Sequence, residues 1–147
     1  MNKLPYTKTS EAIKGYSDSS IAKTERADCV VRAIASASGM TYDKAHSFVS
    51  ETFGRKPRKG TPRFISTMNN LISTNKKLNR KKVTNISVKV GTKNMTVNSF
   101  TKIYTKGSYI LNVTGHAFTV KDGVVIGNFN DSTQIRKILK GAWKIGS

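Results

Sequence analysis

"RADCVVRAIASASG", Arg26 to Gly39, holds the only cysteine of the chain. The stretch opens beside an aspartate and closes on a glycine. Between them Val30, Val31, Ile34 and Ala37 recur with helical spacing. Asp28 suits an N-cap and Gly39 a stop, so the spacing predicts a helix from Cys29 to about Ser38. A cysteine in a first helical turn lies near unpaired backbone N–H groups and the positive end of the helix dipole. Both favour thiolate over thiol. A cysteine in an apolar helix is also an ordinary small core residue. Core filler and nucleophile are therefore both open for Cys29.

Outward from this stretch, Thr41 starts a second predicted helix that runs to Phe53. Tyr42, Ala45, Phe48, Val49 and Phe53 form its apolar set, and Gly54 closes it. "GRKPRKGTP" is a basic loop. In it Thr61 suits an N-cap and Pro62 a first helical position, opening a helix with Phe64, Met68, Leu71 and Ile72 on one face. "STNKKLNRKKVTN" is a polar, basic connector. Beyond it "ISVKV", Ile86 to Val90, alternates as a strand does, and Thr96 to Tyr104 reads as a short helix. "SYILNV", "HAFTV" and "VVIGNF" are strand segments, the last two joined by Lys121-Asp122-Gly123, a hairpin signal. The chain ends on a further strand around Ala142 to Ile145. Helices first and strands second give an α+β class, with N-terminal helices packed on a C-terminal antiparallel sheet. Residues 21–147 form one domain in this reading, and residues 1–20 a polar, partly flexible lead-in.

A chain of 147 residues is long enough for one domain with its own core. No apolar run of membrane-spanning length occurs, and the N-terminus lacks the apolar region of a secretory signal. A single cysteine excludes an internal disulfide and suits a reducing compartment. One cysteine and two histidines, far apart, argue against a structural zinc site. Nothing in the sequence calls for a cofactor.

The charge is one-sided: 26 Lys and Arg stand against 8 Asp and Glu, a formal +18. No acidic residue occurs between Glu51 and Asp122. Two runs concentrate the cations: Arg55, Lys56, Arg58, Lys59 and Arg63, then Lys76, Lys77, Arg80, Lys81 and Lys82. Such a surface attracts polyanions, whether nucleic acid or an acidic protein. Neither run is interleaved with aromatics, so contact with a phosphate backbone fits better than base stacking.

A thiolate nucleophile needs an imidazole partner. His46 falls beside the apolar stripe of its helix and reads as structural. His116 opens a strand. If the following hairpin has a three-residue loop, His116 lies opposite Asn128, which would then orient the ring as the third member of a Cys-His-Asn triad. With a two-residue loop His116 faces Phe129, and Asn130 or Asp131 becomes the orienter. Asn128 is preferred and Asp131 stands second.

"ADCVVRAIASASGMTYDKAH", "KGSYILNVTGHAFTVKDGVVIGNFNDS" and "GAWKI" together resemble small phage-encoded proteins with papain-like, C39-like cysteine peptidase domains. The resemblance spans about Asp28 to Ile145. It implies a papain-like fold with Cys29 as nucleophile, His116 as base and Asn128 as orienter. It implies a hydrolase acting on an amide or isopeptide bond of a host or viral protein, in the host cytoplasm. The sequence departs from the pattern where such enzymes carry an oxyanion glutamine, about six residues before the cysteine. Lys23 stands there, as a substitute donor or as nothing. A catalytically silent fold that binds a host factor or nucleic acid through the basic surface is the alternative.

Overall fold

A computed structural model describes residues 3–147. The elements follow in chain order. They are β1 (Tyr6–Thr7), α1 (Thr9–Ala12), α2 (Ser20–Thr24), α3 (Cys29–Ser38), α4 (Tyr42–Phe53) and α5 (Phe64–Ser73). Then come β2 (Val83–Asn85), β3 (Lys89–Val90), β4 (Lys93–Asn94), α6 (Val97–Ile103), β5 (Ser108–Val113), β6 (His116–Lys121) and β7 (Val124–Ile126). Last are α7 (Phe129–Ser132), a 3₁₀ turn at Gln134–Arg136 and β8 (Gly141–Ile145). The class is α+β, as the patterning predicts.

Six strands form the main sheet in the order β1-β7-β6-β5-β8-β2. All neighbours are antiparallel except β1 and β7, which run parallel. The sheet is therefore mixed, which corrects the antiparallel expectation. The parallel strand comes from the segment expected to be a lead-in. Leu4, Ile13 and Ser19 are buried there, and Val125 donates to the carbonyl of Pro5 at 2.9 Å. Two residues are too few to show strand alternation in a sequence. Met1 and Asn2 lie outside the described residues.

Strand alternation divides the core between the two faces of the sheet. Ile110, Ala117, Trp143 and Ile145 pack with α3, α4 and α5 in one cluster. Tyr109, Leu111, Phe118, Val120 and Ala142 pack with Val97 and Phe100 of α6 in the other. The expected helices from Cys29, Thr41 and Thr96 form with their apolar faces buried, and Thr41 and Thr96 cap theirs. Two boundaries differ from expectation. Arg63, not Thr61, occupies the N-cap position of α5. The predicted strand from Ile86 to Val90 is replaced by β2, on the edge of the sheet beside β8, and by the small β3–β4 hairpin. Ile86 and Val88 instead pack their side chains against the second core cluster.

Helix α3 lies against β6, and one buried bond fixes its position along the strand. Thr119 Oγ1 donates to the carbonyl of Ala33 at 2.8 Å. Ala33 is one turn beyond Cys29, and Thr119 is three residues beyond His116. Sliding the helix would leave the buried Thr119 hydroxyl unpaired, at a cost of about 1–3 kcal/mol. The register that brings Cys29 to His116 is held by this contact.

Candidate active site

Cys29 is the first residue of α3 and half-buried. The chain reaches it through Ala27, whose φ of 52° lies in the left-handed region that non-glycine residues rarely enter. Asp28 holds the N-cap position but makes no capping hydrogen bond. Its carboxylate instead accepts from Tyr42 Oη at 2.7 Å and from Arg32 Nε at 3.2 Å. The expected side-chain cap is thus absent, and the first-turn N–H groups keep their bias toward a negative group.

His116 opens β6 at the end of the sheet and lines the same groove as Cys29, close enough for each side chain to shift the ionisation of the other. Its Nε2 meets Asp131 Oδ1 at 2.5 Å, which leaves Nδ1 as the nitrogen for the thiol. Asp131 is buried. Cys29, His116 and Asp131 therefore stand together, Cys29 and His116 at the groove and Asp131 behind the ring.

The orienting residue corrects the preferred assignment. The β6–β7 register pairs Lys121 with Val124 and Val120 with Val125, so the loop has two residues, Asp122 and Gly123. Both have positive φ, at 50° and 81°, as a type I′ turn requires. Strand β7 ends at Ile126 before any residue lies opposite His116. The chain turns into α7, and Asn128 becomes its N-cap. Asn128 Oδ1 accepts from the N–H of Asp131 at 2.9 Å, and Asp131 Oδ2 accepts from the N–H of Asn128 at 2.9 Å. This reciprocal capping box holds the carboxylate rigid, with its other oxygen on the imidazole. Asn128 supports the orienter and is not the orienter. Gly127 is required beside it, because a Cβ there would run into the Asp131 carboxylate. Asn130 makes no hydrogen bond to His116; its carbonyl accepts from Thr133 and Gln134.

The electrostatics follow from these contacts. The bond to Asp131, reinforced by the bond to Cys29, raises the His116 pKa to about 9 despite burial. Burial pushes the Cys29 thiol up, but His116, the Ala117 backbone and Arg32 together outweigh it and bring the pKa down. Asp131 is lowered in turn: burial opposes its charge, and His116 and the Asn128 N–H more than offset that. All three shifts favour the charged forms, thiolate, imidazolium and carboxylate.

Cys29 and His116 line a groove of about 670 Å³. One wall is the turn from Asn112 to Ala117, and the other is Gly60, Thr61 and Phe64. Thr61 Oγ1 is buried and has no partner among the described residues. Asn112 is committed to the His116 carbonyl, at 3.2 Å. Lys23 is exposed on α2 and does not line the groove, so the suggested oxyanion role fails on geometry. The backbone N–H of Cys29 belongs to the first turn of α3, where it has no intrahelical partner.

A second cluster was not legible in the sequence. Glu25 accepts from His46 Nε2 at 2.5 Å, from both terminal nitrogens of Arg55 at 2.9 and 3.0 Å, and from the N–H of Arg58 at 2.7 Å. Arg55 also donates to the carbonyl of Arg26 at 3.0 Å. The Arg55 pairing, opposed by burial and helped by His46, holds the Glu25 carboxyl at about 2. Arg55 is buried, so it is not a polyanion contact; it clamps the basic loop to the segment that leads into Cys29. The available signal was Glu25 itself, a rare acid in a basic chain. Lys56, Arg58, Lys59, Arg63, Lys76, Lys77, Arg80, Lys81 and Lys82 are exposed as expected.

No helix is long and apolar enough to cross a membrane, and no metal-holding group of His, Cys, Asp or Glu occurs among the described residues. Comparison with known proteins finds no matching family model, no matching curated protein and no matching solved structure.

Proposed function

We propose that the chain is a papain-like cysteine hydrolase that cleaves an amide or isopeptide bond of a host or viral protein. The observation that carries this reading is the placement of Cys29 and His116 together at an open groove, with His116 hydrogen-bonded to the buried Asp131. A structural cysteine needs neither the imidazole nor the carboxylate behind it. The order nucleophile on a helix N-terminus, histidine on a strand, acid beyond the next hairpin is that of papain-like enzymes. The likeness to phage-encoded members suggests where the target is found.

In this mechanism the Cys29 thiolate attacks the carbonyl carbon and forms a C–S bond. The oxyanion is met by the Cys29 N–H at the helix start. The His116 imidazolium gives its proton to the leaving amine as the C–N bond breaks. Neutral His116 then takes a proton from water, which cleaves the thioester and releases the acid. Asp131 holds the ring with Nδ1 toward the sulfur throughout.

The test is alkylation of Cys29 against pH. The expected result is an apparent pKa well below the ~8.5 of a free thiol, raised by His116→Ala. A peptidyl p-nitrophenyl ester should then acylate Cys29 and turn over. A thiol that stays inert until the protein unfolds would overturn the reading. The alternative, a silent fold that binds a polyanion, is supported by the nine exposed cations of the two basic runs. It requires function to persist in Cys29→Ala.

A further inference from the structure

The groove carries charge of one sign. Arg32 and Lys140 line it, and no carboxylate does. The nearby acids are all engaged. Asp28 bonds Tyr42 and Arg32, Asp131 bonds His116 and the Asn128 N–H, and Glu25 is filled by Arg55, His46 and Arg58. Arg32 spends only its Nε on Asp28, and Lys140 is exposed with no ion pair among the described residues. The unpartnered, buried Thr61 hydroxyl adds a free hydrogen-bonding group to the same wall.

The rim extends this field. Lys56, Arg58 and Lys59 are exposed on the loop whose end supplies Gly60 and Thr61 to the groove. The loop is ordered in advance, because Arg55 and the N–H of Arg58 are both tied to Glu25. Charges held in place lose less freedom when they engage a partner. The other basic run lies elsewhere. Asn79 Nδ2 donates to the carbonyl of Ser38 at 2.8 Å, which places residues 76–82 at the C-terminal end of α3. Cys29 stands at the opposite end of this ten-residue helix, about 13–14 Å away.

We propose that the groove takes an acidic polypeptide segment, held by Lys140 and Arg32 within and by Lys56, Arg58 and Lys59 at the rim. Residues 76–82 take no part in this recognition. The proposal rests on the hydrolase reading and gives its substrate class. A polypeptide is favoured over nucleic acid because the groove leads to a nucleophile for an amide. The rim loop also carries no aromatic side chain on which a base could stack.

The test uses the full chain and two peptide vinyl sulfones, identical except that three glutamates in one are glutamines in the other. The Cys29 thiolate adds to the alkene, a C–S bond forms, and the resulting carbanion takes the imidazolium proton. At low salt the acidic probe should label Cys29 about tenfold faster, and the preference should shrink as salt rises. Lys140→Glu, or Lys56→Glu with Lys59→Glu, should bring the ratio toward unity. Lys76→Glu with Lys77→Glu and Lys81→Glu should leave it unchanged. Iodoacetamide, small and neutral, reports the thiolate itself. Equal labelling by both probes, with normal iodoacetamide reactivity, overturns the proposal and leaves the hydrolase reading standing. Loss of the preference in the 76–81 variant overturns it too. So does an oligonucleotide that protects Cys29 at lower concentration than the free acidic peptide. An iodoacetamide profile without a depressed pKa removes the hydrolase reading first, and the proposal with it.

Discussion

Two histidine–carboxylate pairs in this protein have the same contact and opposite character. His46 meets Glu25, and His116 meets Asp131, each at 2.5 Å. Glu25 also receives a bidentate guanidinium and two backbone N–H groups, from Arg55, Arg58 and Arg26. That carboxylate is neutralised whatever the histidine does, and the pair serves to fasten a loop. Asp131 receives only the imidazole and one backbone N–H, and the far side of that imidazole faces a thiol. The charge on Asp131 therefore passes through the ring to sulfur. The neighbour on the other side of each ring decides whether the pair is mechanical or chemical.

Breaking the two pairs should separate these roles. The largest effect is expected from Arg55→Ala, which leaves the Glu25 carboxylate buried without its guanidinium. Loss of one partner of a buried pair costs about 3–5 kcal/mol, which urea unfolding would measure. The alkylation profile of Cys29 in the folded fraction should keep its low apparent pKa. Asp131→Asn should behave in the opposite way. It keeps an oxygen for the Asn128 N–H but loses the charge on His116. Stability should change by about 1 kcal/mol or less. Cys29 alkylation at pH 6 should fall on the order of 10²-fold as the thiol returns toward its ordinary range. A variant that loses stability but keeps reactivity would contradict the assignment of Asp131.

The pairs also differ in pH dependence. The His116 pKa is raised, so its contribution to stability is complete below ~6.5 and fades as pH climbs through about 9. Cys29 is lowered and works in the opposite sense, gaining as it ionises. Ester turnover should rise with Cys29 ionisation and fall again near pH 9, a bell that His116→Ala abolishes. The Glu25 carboxyl is lowered, so its contribution is present above ~4.3 and lost only as pH falls through about 2. Arg55 does not titrate in this range, so that pair adds no alkaline limb. The smallest effect on Cys29 reactivity is expected from Gly127→Ala. The added methyl pushes on the Asp131 carboxylate, which should lower Cys29 reactivity several-fold and cost about 1–3 kcal/mol. A wild-type pH profile in that variant would show that the carboxylate position tolerates displacement.

The helices around Cys29 and Tyr42 were legible because apolar spacing and glycine stops agree with one another, and the helix around Val97 from its apolar spacing. The strands from Ser108 to Ile126 were legible for the same reason. Asp131 was visible only as a second choice. A two-residue and a three-residue hairpin look alike in sequence, and the choice between them moves every later residue to the other face. Arg55 was misread for a different reason. An arginine in a run of cations reads as surface, and its burial depends on a carboxylate thirty residues earlier in the chain.

The sequence by itself determined the α+β class, the placement of Cys29 at a helix start and of His116 at a strand start, and the excess of positive charge. These follow from local patterns and composition. Only the tertiary structure decided that a bond from Thr119 to Ala33 brings Cys29 and His116 level, and that Asp131 rather than Asn128 completes the row. It also decided that one basic run borders the groove while the other lies at the opposite end of α3. Contacts between residues distant in sequence depend on how layers dock and where a strand stops, and no local pattern records either.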